Sequence, residues 1–336
     1  MAKGEYSTIK YDECLSSWVA RNKCCFDPED LDFYEKSDGD IDFDFSLPAL
    51  MRLISKTNLS LDHLRRRFAC ETKWTLPREN RMAYCLACMR EDISAGGAPC
   101  WRKSWCYVHC PICLKHRVLL SIGSPLGVDF QKAWYFFFAS CHHELGETRC
   151  LIPWRQSNAS TEAILLAFRV QQLLVSAHRR SSLLLPGGTK LVDSADFLVF
   201  SRFLLEEFLF PRMRGVRVDG AARGSQSGLP RENWGESLQE VINIGFSECN
   251  AFCRVVALVL VGRIFKLFPQ ERFYRVRDSL GLGRFAGDFD AESVGKFWIS
   301  TPRRSAWYVA ELLSEGFSDE LNERLNDFYK GLSWRL

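Results

Sequence analysis

The chain has 336 residues, of which 47% are hydrophobic, and its formal net charge at pH 7 is only +3. This length can bury roughly two or three hydrophobic cores, and the near-neutral charge excludes a protein whose whole surface attracts nucleic acid. The first residues, MAKGEYSTIK, lack the apolar segment of a secretory signal, and no uncharged apolar run approaches the roughly 18 residues that span a membrane. The sequence therefore predicts a protein of the reducing cytoplasm, without a membrane partner.

The N-terminal segment predicts a helix followed by an acidic loop. Residues 10–25 carry apolar side chains at helical spacing, with Asp12 as the predicted cap. Between Asp27 and Asp44 the chain has nine acidic residues against a single lysine. We interpret this stretch, which contains an Asp-Gly pair at 38–39, as a loop.

Two short helices separated by a tight polar turn are predicted over residues 46–68. Ser60 can cap the second helix, in which Leu61, Leu64 and Phe68 face inward. Such a pair has the outline of a helix-turn-helix, although a run of arginines is also typical of a solvated helix end, where cations favour the dipole. The candidate residues for binding nucleic acid or a partner are Lys56, Arg65, Arg66 and Arg67.

A cluster of cysteines follows. Six of the 14 cysteines lie within residues 84–116, and four of them form two C-x₂-C pairs, the second followed three residues later by a histidine. Short C-x₂-C loops supply two thiolates each to a structural zinc, which needs four ligands in a tetrahedron. Free buried thiols and a redox C-x₂-C are the alternatives, but the redox motif usually belongs to a βαβ unit. The spacing leaves five candidates for the four zinc ligands: Cys85, Cys88, Cys110, Cys113 and His116.

The sequence does not predict an enzyme. A zinc ion with four protein ligands has no position left for water, so it acts as a structural element. Residues 142–144, His-His-Glu, fit the H-x-E of zinc deaminases, but the cysteine pairs precede them and the proline is misplaced. The sequence also lacks the glycine-rich phosphate-binding motifs and the G-x-S-x-G nucleophile motif. A second metal site is a further hypothesis, with the ligands Cys141, His142, His143 and Cys150.

The C-terminal half is predicted to be mostly helical. Helical patterns run over 161–178 and 194–210, one or two buried helices are predicted over 232–268, and further helices over 304–330. The apolar run at 255–261 is bounded by arginines, which favours a buried helix over a membrane span.

The predicted fold class is mainly α, with an N-terminal helix-turn-helix, a central small zinc-finger element and a C-terminal helical domain. Between Arg212 and Arg231, five arginines and four glycines occur with a single acid, which predicts a basic, mobile loop. The predicted boundaries are 1–80 for the N-terminal helical region, 81–155 for the zinc-binding region and 156–336 for the C-terminal domain with its basic loop at 212–231.

Several segments also form an ordered pattern. Residues 13–21 read ECLSSWVAR, residues 85–92 read CLACMRED and residues 101–105 read WRKSW. Cys113 follows the last of these by eight residues, and HRVLL occupies 116–120. In order and spacing these segments resemble the TniQ family of transposition proteins, which includes TnsD. The family opens with ES-x-x-SW-x-x-R, and its zinc motif runs C-x₂-C-x-x-(D/E), an aromatic/Arg/Trp stretch, then C-x₂-H-x₃-L.

The resemblance covers about residues 10–120 and favours one set of zinc ligands, Cys85, Cys88, Cys113 and His116, with Cys110 as a spare thiol. The chain departs from the family pattern at two points. Cys14 stands where the family has serine, and the second C-x₂-C that usually follows the leucines is missing, since no cysteine occurs between His116 and Cys141.

The resemblance implies a target-selection protein of a transposon in the bacterial cytoplasm, associated with the nucleoid. Proteins of this kind recognise an attachment site on DNA, or dock as a homodimer on an RNA-guided CRISPR surveillance complex. They then recruit the transposon's AAA+ ATPase regulator and the transposase. The alternative prediction is a zinc-containing helix-turn-helix transcription regulator that binds DNA.

Overall fold

A computed structural model describes residues 6–37, 39–55, 57, 59–123, 131–144, 159–209, 249–282, 291–293 and 316–333. The chain is mainly helical, as the sequence predicts, with a few short strands. It divides into two compact units, Met1–Gln156 and Ser157–Leu336. The N-terminal helices and the cysteine cluster therefore lie in the same unit. A helix that could cross a bilayer is absent from the part of the chain that the structure describes.

The first unit has short helices around a hydrophobic core and one small pair of strands. Strands β1 (Ala83–Tyr84) and β2 (Ser121–Ile122) pair antiparallel, and they close the chain segment that contains the cysteine cluster. The helices are α1 (Leu15–Arg21), α2 (Pro28–Glu35), α3 (Pro48–Ser55), α4 (Leu61–Phe68), α5 (Leu86–Ser94) and α6 (Lys132–Glu144). Short 3₁₀ helices occur at Lys23–Cys25, Thr72–Trp74, Arg78–Asn80 and Lys103–Cys106.

Helix α2 lies within the acidic stretch, so the prediction of a loop there is wrong. Asp27 occupies the N-cap position, Pro28 begins the helix, and two acids lie in its first turn. Proline and negative charge both favour a helix N-terminus, the first by its fixed φ and the second through the helix dipole. The helix buries Tyr34, whose hydroxyl donates a hydrogen bond to the carbonyl oxygen of Ile41.

Helices α3 and α4 occupy the positions of the two short helices predicted over 46–68. The hydroxyl of Ser60 accepts a hydrogen bond from the backbone N–H of His63 at 3.1 Å and so caps α4. Leu64 and Phe68 are buried in the core that α1, α2 and α3 share. That this pair is a DNA-binding helix-turn-helix stays a prediction.

A buried ion pair anchors helix α1. The Nε of Arg21 donates to Oε1 of Glu13 at 2.7 Å, and a terminal guanidinium nitrogen donates to Oε2, also at 2.7 Å. The Glu13 side chain has 0% of its surface exposed and that of Arg21 has 9%. Cys14, and not Asp12, is the N-cap residue of α1, and it makes no side-chain capping bond.

We expect the substitution Arg21→Met to lower the free energy of unfolding by about 3–5 kcal/mol, because it leaves the Glu13 carboxylate buried and unpaired. Lys36→Met is the matched control, since it breaks an exposed pair with Asp32 whose side chains are 72% and 60% exposed. That change should cost about 0–1 kcal/mol. Urea unfolding followed by tryptophan fluorescence measures both, and equal losses would contradict the prediction.

The second unit is a helical unit with one hairpin. Its helices are α7 (Thr161–Ala177), α8 (Ser194–Leu209), α9 (Ala251–Ile264), α10 (Gln270–Arg277) and α11 (Asp319–Ser333). Strands β3 (Ser182–Leu184) and β4 (Leu191–Asp193) pair antiparallel, with Leu183 opposite Val192. The sequence pattern does not predict this hairpin.

Helix α9 is the centre of the second unit. It packs against α7 and α8, and all of its residues except Phe252 are buried. The side chain of Asn250 caps it by accepting a hydrogen bond from the N–H of Cys253 at 2.8 Å. This confirms the prediction that the apolar run at 255–261 is a buried helix. The predicted basic loop at 212–231 lies outside the described residues.

Candidate metal centre

Four side chains from the cysteine cluster converge in the first unit: Cys85, Cys88, Cys113 and His116. Their three sulfur atoms and one ring nitrogen all lie within 4.8 Å of one another. Nδ1 of His116 is 3.4 Å from Sγ of Cys85, 3.3 Å from Sγ of Cys88 and 3.6 Å from Sγ of Cys113. The Sγ atoms of Cys88 and Cys113 are 3.5 Å apart. The three cysteines are buried and the histidine is partly buried.

These separations fit a tetrahedral metal site. Zinc–sulfur bonds of about 2.3 Å and zinc–nitrogen bonds of about 2.0–2.1 Å place the ligands about 3.8 Å apart for two sulfurs and about 3.6 Å apart for sulfur and nitrogen. The observed sulfur–sulfur distance of 3.5 Å and sulfur–nitrogen distances of 3.3–3.6 Å are close to these values. The group can therefore hold one metal ion with its four ligand atoms alone.

Local backbone structure positions both ligand pairs. Cys85 follows β1 directly and is the N-cap residue of α5, so that Cys88 lies in the first turn of that helix. Cys113 and His116 share a tight turn, in which the N–H of His116 points to Sγ of Cys113 at 3.4 Å. Arg117 continues this turn with a φ of 56°, and its N–H donates to the carbonyl oxygen of Cys113. Each pair is thus a short loop fixed by its own backbone.

The three thiols also affect each other's protonation. Hydrogen bonds from Cys85 and Cys88 lower the pKa of the Cys113 thiol well below its usual range. The hydrogen bond with Cys113 raises the pKa of Cys85 to about 11. The corresponding hydrogen bond of Cys88 with Cys113 raises the pKa of Cys88 as well. A bound cation favours the thiolate form of every cysteine that it contacts. A metal ion would therefore lower the pKa values of all three thiols and remove the difference between them.

A carboxylate outside the group orients its histidine. Oε1 of Glu91 lies 3.2 Å from Nε2 of His116, and the Nζ of Lys115 lies 2.6 Å from Oε2 of the same carboxylate. The hydrogen bond from Lys115 lowers the pKa of Glu91 and keeps it ionised. A carboxylate on Nε2 favours the tautomer that leaves Nδ1 free to bind a metal. The sequence signal for this role is the spacing alone, since Glu91 follows Cys88 by three residues on α5.

We expect Glu91→Gln to weaken metal binding about 10- to 100-fold, because partners that orient a metal-bound histidine have effects of this size. Competition with a chromophoric zinc chelator measures the affinity. Glu79→Gln is the matched control, since Glu79 is an exposed acid outside the group. Equal zinc affinities of the Glu91→Gln and Glu79→Gln variants would show that Glu91 does not contribute to metal binding.

The remaining cysteines of the cluster lie outside the four-residue group. Cys110 is buried, but it is not among the side chains that converge on the site. The thiol of Cys100 donates to Oδ2 of Asp92 at 3.1 Å, and burial raises its pKa. Cys106 is buried with its Sγ 3.7 Å from Sγ of Cys14. Cys14, where the TniQ pattern has serine, thus contributes to packing.

The chain between the two ligand pairs binds the N-terminal segment. The N–H of Cys14 donates to the carbonyl oxygen of Trp101 at 2.9 Å, and the N–H of Trp101 donates to the hydroxyl of Ser17 at 2.9 Å. Asp12, predicted as a helix cap, instead accepts hydrogen bonds from the N–H and hydroxyl of Ser104. The metal-ligand loop and the beginning of α1 therefore form one structure.

Asp92 makes a second connection, which joins helix α5 to the N-terminal segment. Its carboxylate is 3.1 Å from Nζ of Lys10 and 2.7 Å from a guanidinium nitrogen of Arg102. It also accepts a hydrogen bond from the N–H of Cys100 at 3.1 Å. Since Asp92 lies on α5, a shift of this helix would disturb the residues that hold the N-terminal segment.

The structure places the three predicted arginines on the exposed face of α4. Arg65 lies 3.8 Å from Asp62, and its side chain is 52% exposed. The carbonyl oxygen of Arg67 accepts a hydrogen bond from Nζ of Lys103 at 2.7 Å, so a fourth cation lies beside the three. Lys56 lies outside the described residues.

The second metal site that the sequence suggests lies mostly outside the described residues. Cys141 is half-buried on α6, the side chains of His142 and His143 lie outside the described set, and so does Cys150.

No protein-family model, curated protein or solved structure matches this chain.

Proposed function

We propose that the group of Cys85, Cys88, Cys113 and His116 binds one structural zinc ion. The observation that carries this is the donor set, three thiols and one imidazole at tetrahedral separations. Soft thiolate ligands select zinc over magnesium or calcium, and four protein ligands leave no position for a reactive water. The ion would hold α5 and the turn at Cys113 together, and it supplies no chemistry beyond coordination.

We further propose that the chain is a transposon target-selection adaptor of the TniQ type, because of the order and spacing of its motif segments. These segments also contact each other. The Glu13–Arg21 pair fixes α1, Trp101 bonds to the same helix, and Asp92 joins the metal-binding helix to residues near the N-terminus. Segments that resemble the motifs of one family and also contact each other support a single structural module.

The edge of α4 is the proposed contact with nucleic acid or a partner. We name the exposed side chains of Arg65, Arg66 and Arg67 the arginine edge. Leu64 and Phe68 fix the rotation of the helix by burying its other face, so the three cations point away from the core. Exposed cations on one surface neutralise phosphates on duplex DNA, and the same cations can bind an acidic protein surface.

Loss of targeted insertion on deletion of the chain tests this function. In a reconstituted transposition assay with transposase and the AAA+ ATPase, we expect insertion at the chosen site only when the protein is present. Transposase and ATPase genes beside its gene would support the adaptor, and a neighbouring CRISPR array would favour docking on an RNA-guided complex. Unchanged insertion together with altered transcription of nearby genes would favour the helix-turn-helix regulator.

A further inference from the structure

The second unit contains a cavity of about 730 Å³ between the C-terminal end of α9 and the start of α10. Sites for small organic molecules usually have volumes of about 300–1,000 Å³. The cavity is lined by cations, acids and apolar residues, among them Arg263, Lys266, Phe268, Gln270, Glu292 and Asp327. The proposed metal site and the arginine edge belong to the first unit, so a ligand of this cavity would be an additional property of the chain.

The side chain of Arg263 has no partner in the described part of the chain. Arg263 is 8% exposed, its Nε is buried without a hydrogen bond, and its guanidinium forms no ion pair with a described residue. A guanidinium remains charged at all ordinary pH values, and an unpaired buried charge is unfavourable. An anion in the cavity that Arg263 lines would remove this cost.

A second buried arginine in the same unit has protein partners for its guanidinium group, as buried charges usually do. Arg324 is also 8% exposed, but its Nε donates to Glu320 at 3.0 Å. Its terminal nitrogens donate to the carbonyl oxygens of Phe265 and Pro186, each at 3.0 Å. The fold therefore satisfies Arg324 internally and leaves the guanidinium of Arg263 available to a ligand.

Two further features of the lining favour an anion. Helix α10 begins at Gln270 after Pro269, and no side chain caps it, so the N–H groups of its first two residues have no intrahelical acceptor, while that of Arg272 donates to the carbonyl oxygen of Pro269. Lys266 is 2.9 Å from Asp327, but both side chains are about half exposed and their attraction is weak. Asp327 is also 3.3 Å from Lys330, which keeps its charge balanced if Lys266 turns toward a ligand.

We propose that this cavity binds a small organic phosphate monoester, with the phosphate on Arg263 and near the first turn of α10. A planar guanidinium binds phosphate through two parallel hydrogen bonds. The cavity is much larger than a phosphate ion, and apolar residues such as Phe268 can contact an organic body. The acids Glu292 and Asp327 disfavour ligands with several separate anionic groups, so a single phosphate fits best.

Thermal unfolding of the full zinc-loaded chain tests the proposal, with inorganic phosphate, AMP and glucose 6-phosphate as probes. Each probe replaces sodium chloride at constant ionic strength, because salt alone changes surface electrostatics. We expect a saturable rise in Tm with at least one of the two esters, at lower concentration than with inorganic phosphate. Absence of a saturable rise with both esters would overturn the proposal. Equal Tm responses to the esters and to inorganic phosphate would mean that the cavity binds only a phosphate ion. That outcome would contradict the proposal of an organic ester.

The variant Arg263→Met should weaken the ester response at least about tenfold, since a hydrogen-bonded charge contributes that much to binding. Methionine keeps the apolar stem and removes the buried charge, so this variant should unfold without ligand at or above the wild-type Tm. Lys266→Met should give a smaller loss. Arg202→Met is the control, because Arg202 pairs with Glu206 on α8 and does not line the cavity. An undiminished ester response in Arg263→Met would exclude this arginine as the phosphate ligand.

Discussion

Serine in place of Cys88 should release the metal ion and unfold the first unit. Cys88 has Sγ contacts of 3.5 Å to Cys113 and 3.3 Å to His116, so its loss removes one of four ligands. Zinc binding in small modules contributes about 10–16 kcal/mol of apparent free energy, which is comparable to the total stability of a domain, about 5–15 kcal/mol. Elemental analysis of protein purified without chelators should find one zinc per wild-type chain and none in the variant.

The matched control is serine in place of Cys110, a buried cysteine of the same C-x₂-C pair as Cys113. It should keep the metal and lose only about 1–3 kcal/mol for burying a hydroxyl. His116→Ala should behave like Cys88→Ser, with loss of the metal and of the part of the helical circular dichroism that the first unit contributes. A zinc-free wild type would sink the proposal. Equal metal loss in Cys110→Ser and Cys113→Ser would show that the ligand set is wrong.

Alanine at all three positions of the arginine edge should abolish targeted insertion while zinc content and helical signal stay at wild-type values. The side chains are exposed, and substitutions at such positions change stability by about 0.5 kcal/mol or less. Each phosphate contact contributes a slope of about −0.9 to the dependence of log affinity on log salt concentration. If all three arginines contact DNA, that slope should therefore flatten by up to about 2.7.

The control for the arginine edge is a pair of exposed arginines in the second unit, Arg179 and Arg180. Their replacement by alanine should leave insertion unchanged. Wild-type insertion by the triple variant would reject the arginine edge and favour the arginines of residues 212–231 as the contact. Lost insertion with an unchanged salt slope would mean that the edge binds a partner protein and not a phosphate row.

The helices that the sequence predicts best are those whose apolar residues repeat with the helical period. In α4, Leu64 and Phe68 lie one turn apart and are both buried, while the arginines between them face solvent. Helix α2 has no such stripe, since its buried residues are Tyr34 and one acid. The sequence signals for this helix are instead the aspartate at its N-cap and the proline at its first position. They are easily missed in a stretch with many acidic residues, which is also typical of a loop. The β3–β4 hairpin is likewise too short, at three residues a strand, for its period to be visible.

The candidate site was predictable in part. The C-x₂-C spacing indicates a metal site, but it leaves Cys110 and His116 as alternatives, because both lie within reach of Cys113. The resemblance favours the set that the structure brings together. The spacing of Glu91 from Cys88 places this acid near the ligands on α5, but its contact with His116 also depends on how α5 lies against the second ligand turn. The same holds for Asp12 and Ser104, whose hydrogen bond joins residues 92 positions apart.

The backbone contacts between α1 and the loop at Trp101 have a consequence for how the protein is made. Trp101 and Ser17 are separated by 84 residues, so α1 leaves the ribosome long before its partner. At synthesis rates of about 5–20 residues per second, the interval is roughly 4–17 seconds. During this time the apolar side chains of α1 lack part of their final surroundings, and the last of the four proposed metal ligands, His116, is synthesised later still. A nascent chain that stops before Trp101 can therefore pack α1 against α2, α3 and α4, but it lacks the hydrogen bonds that join Cys14 and Ser17 to Trp101.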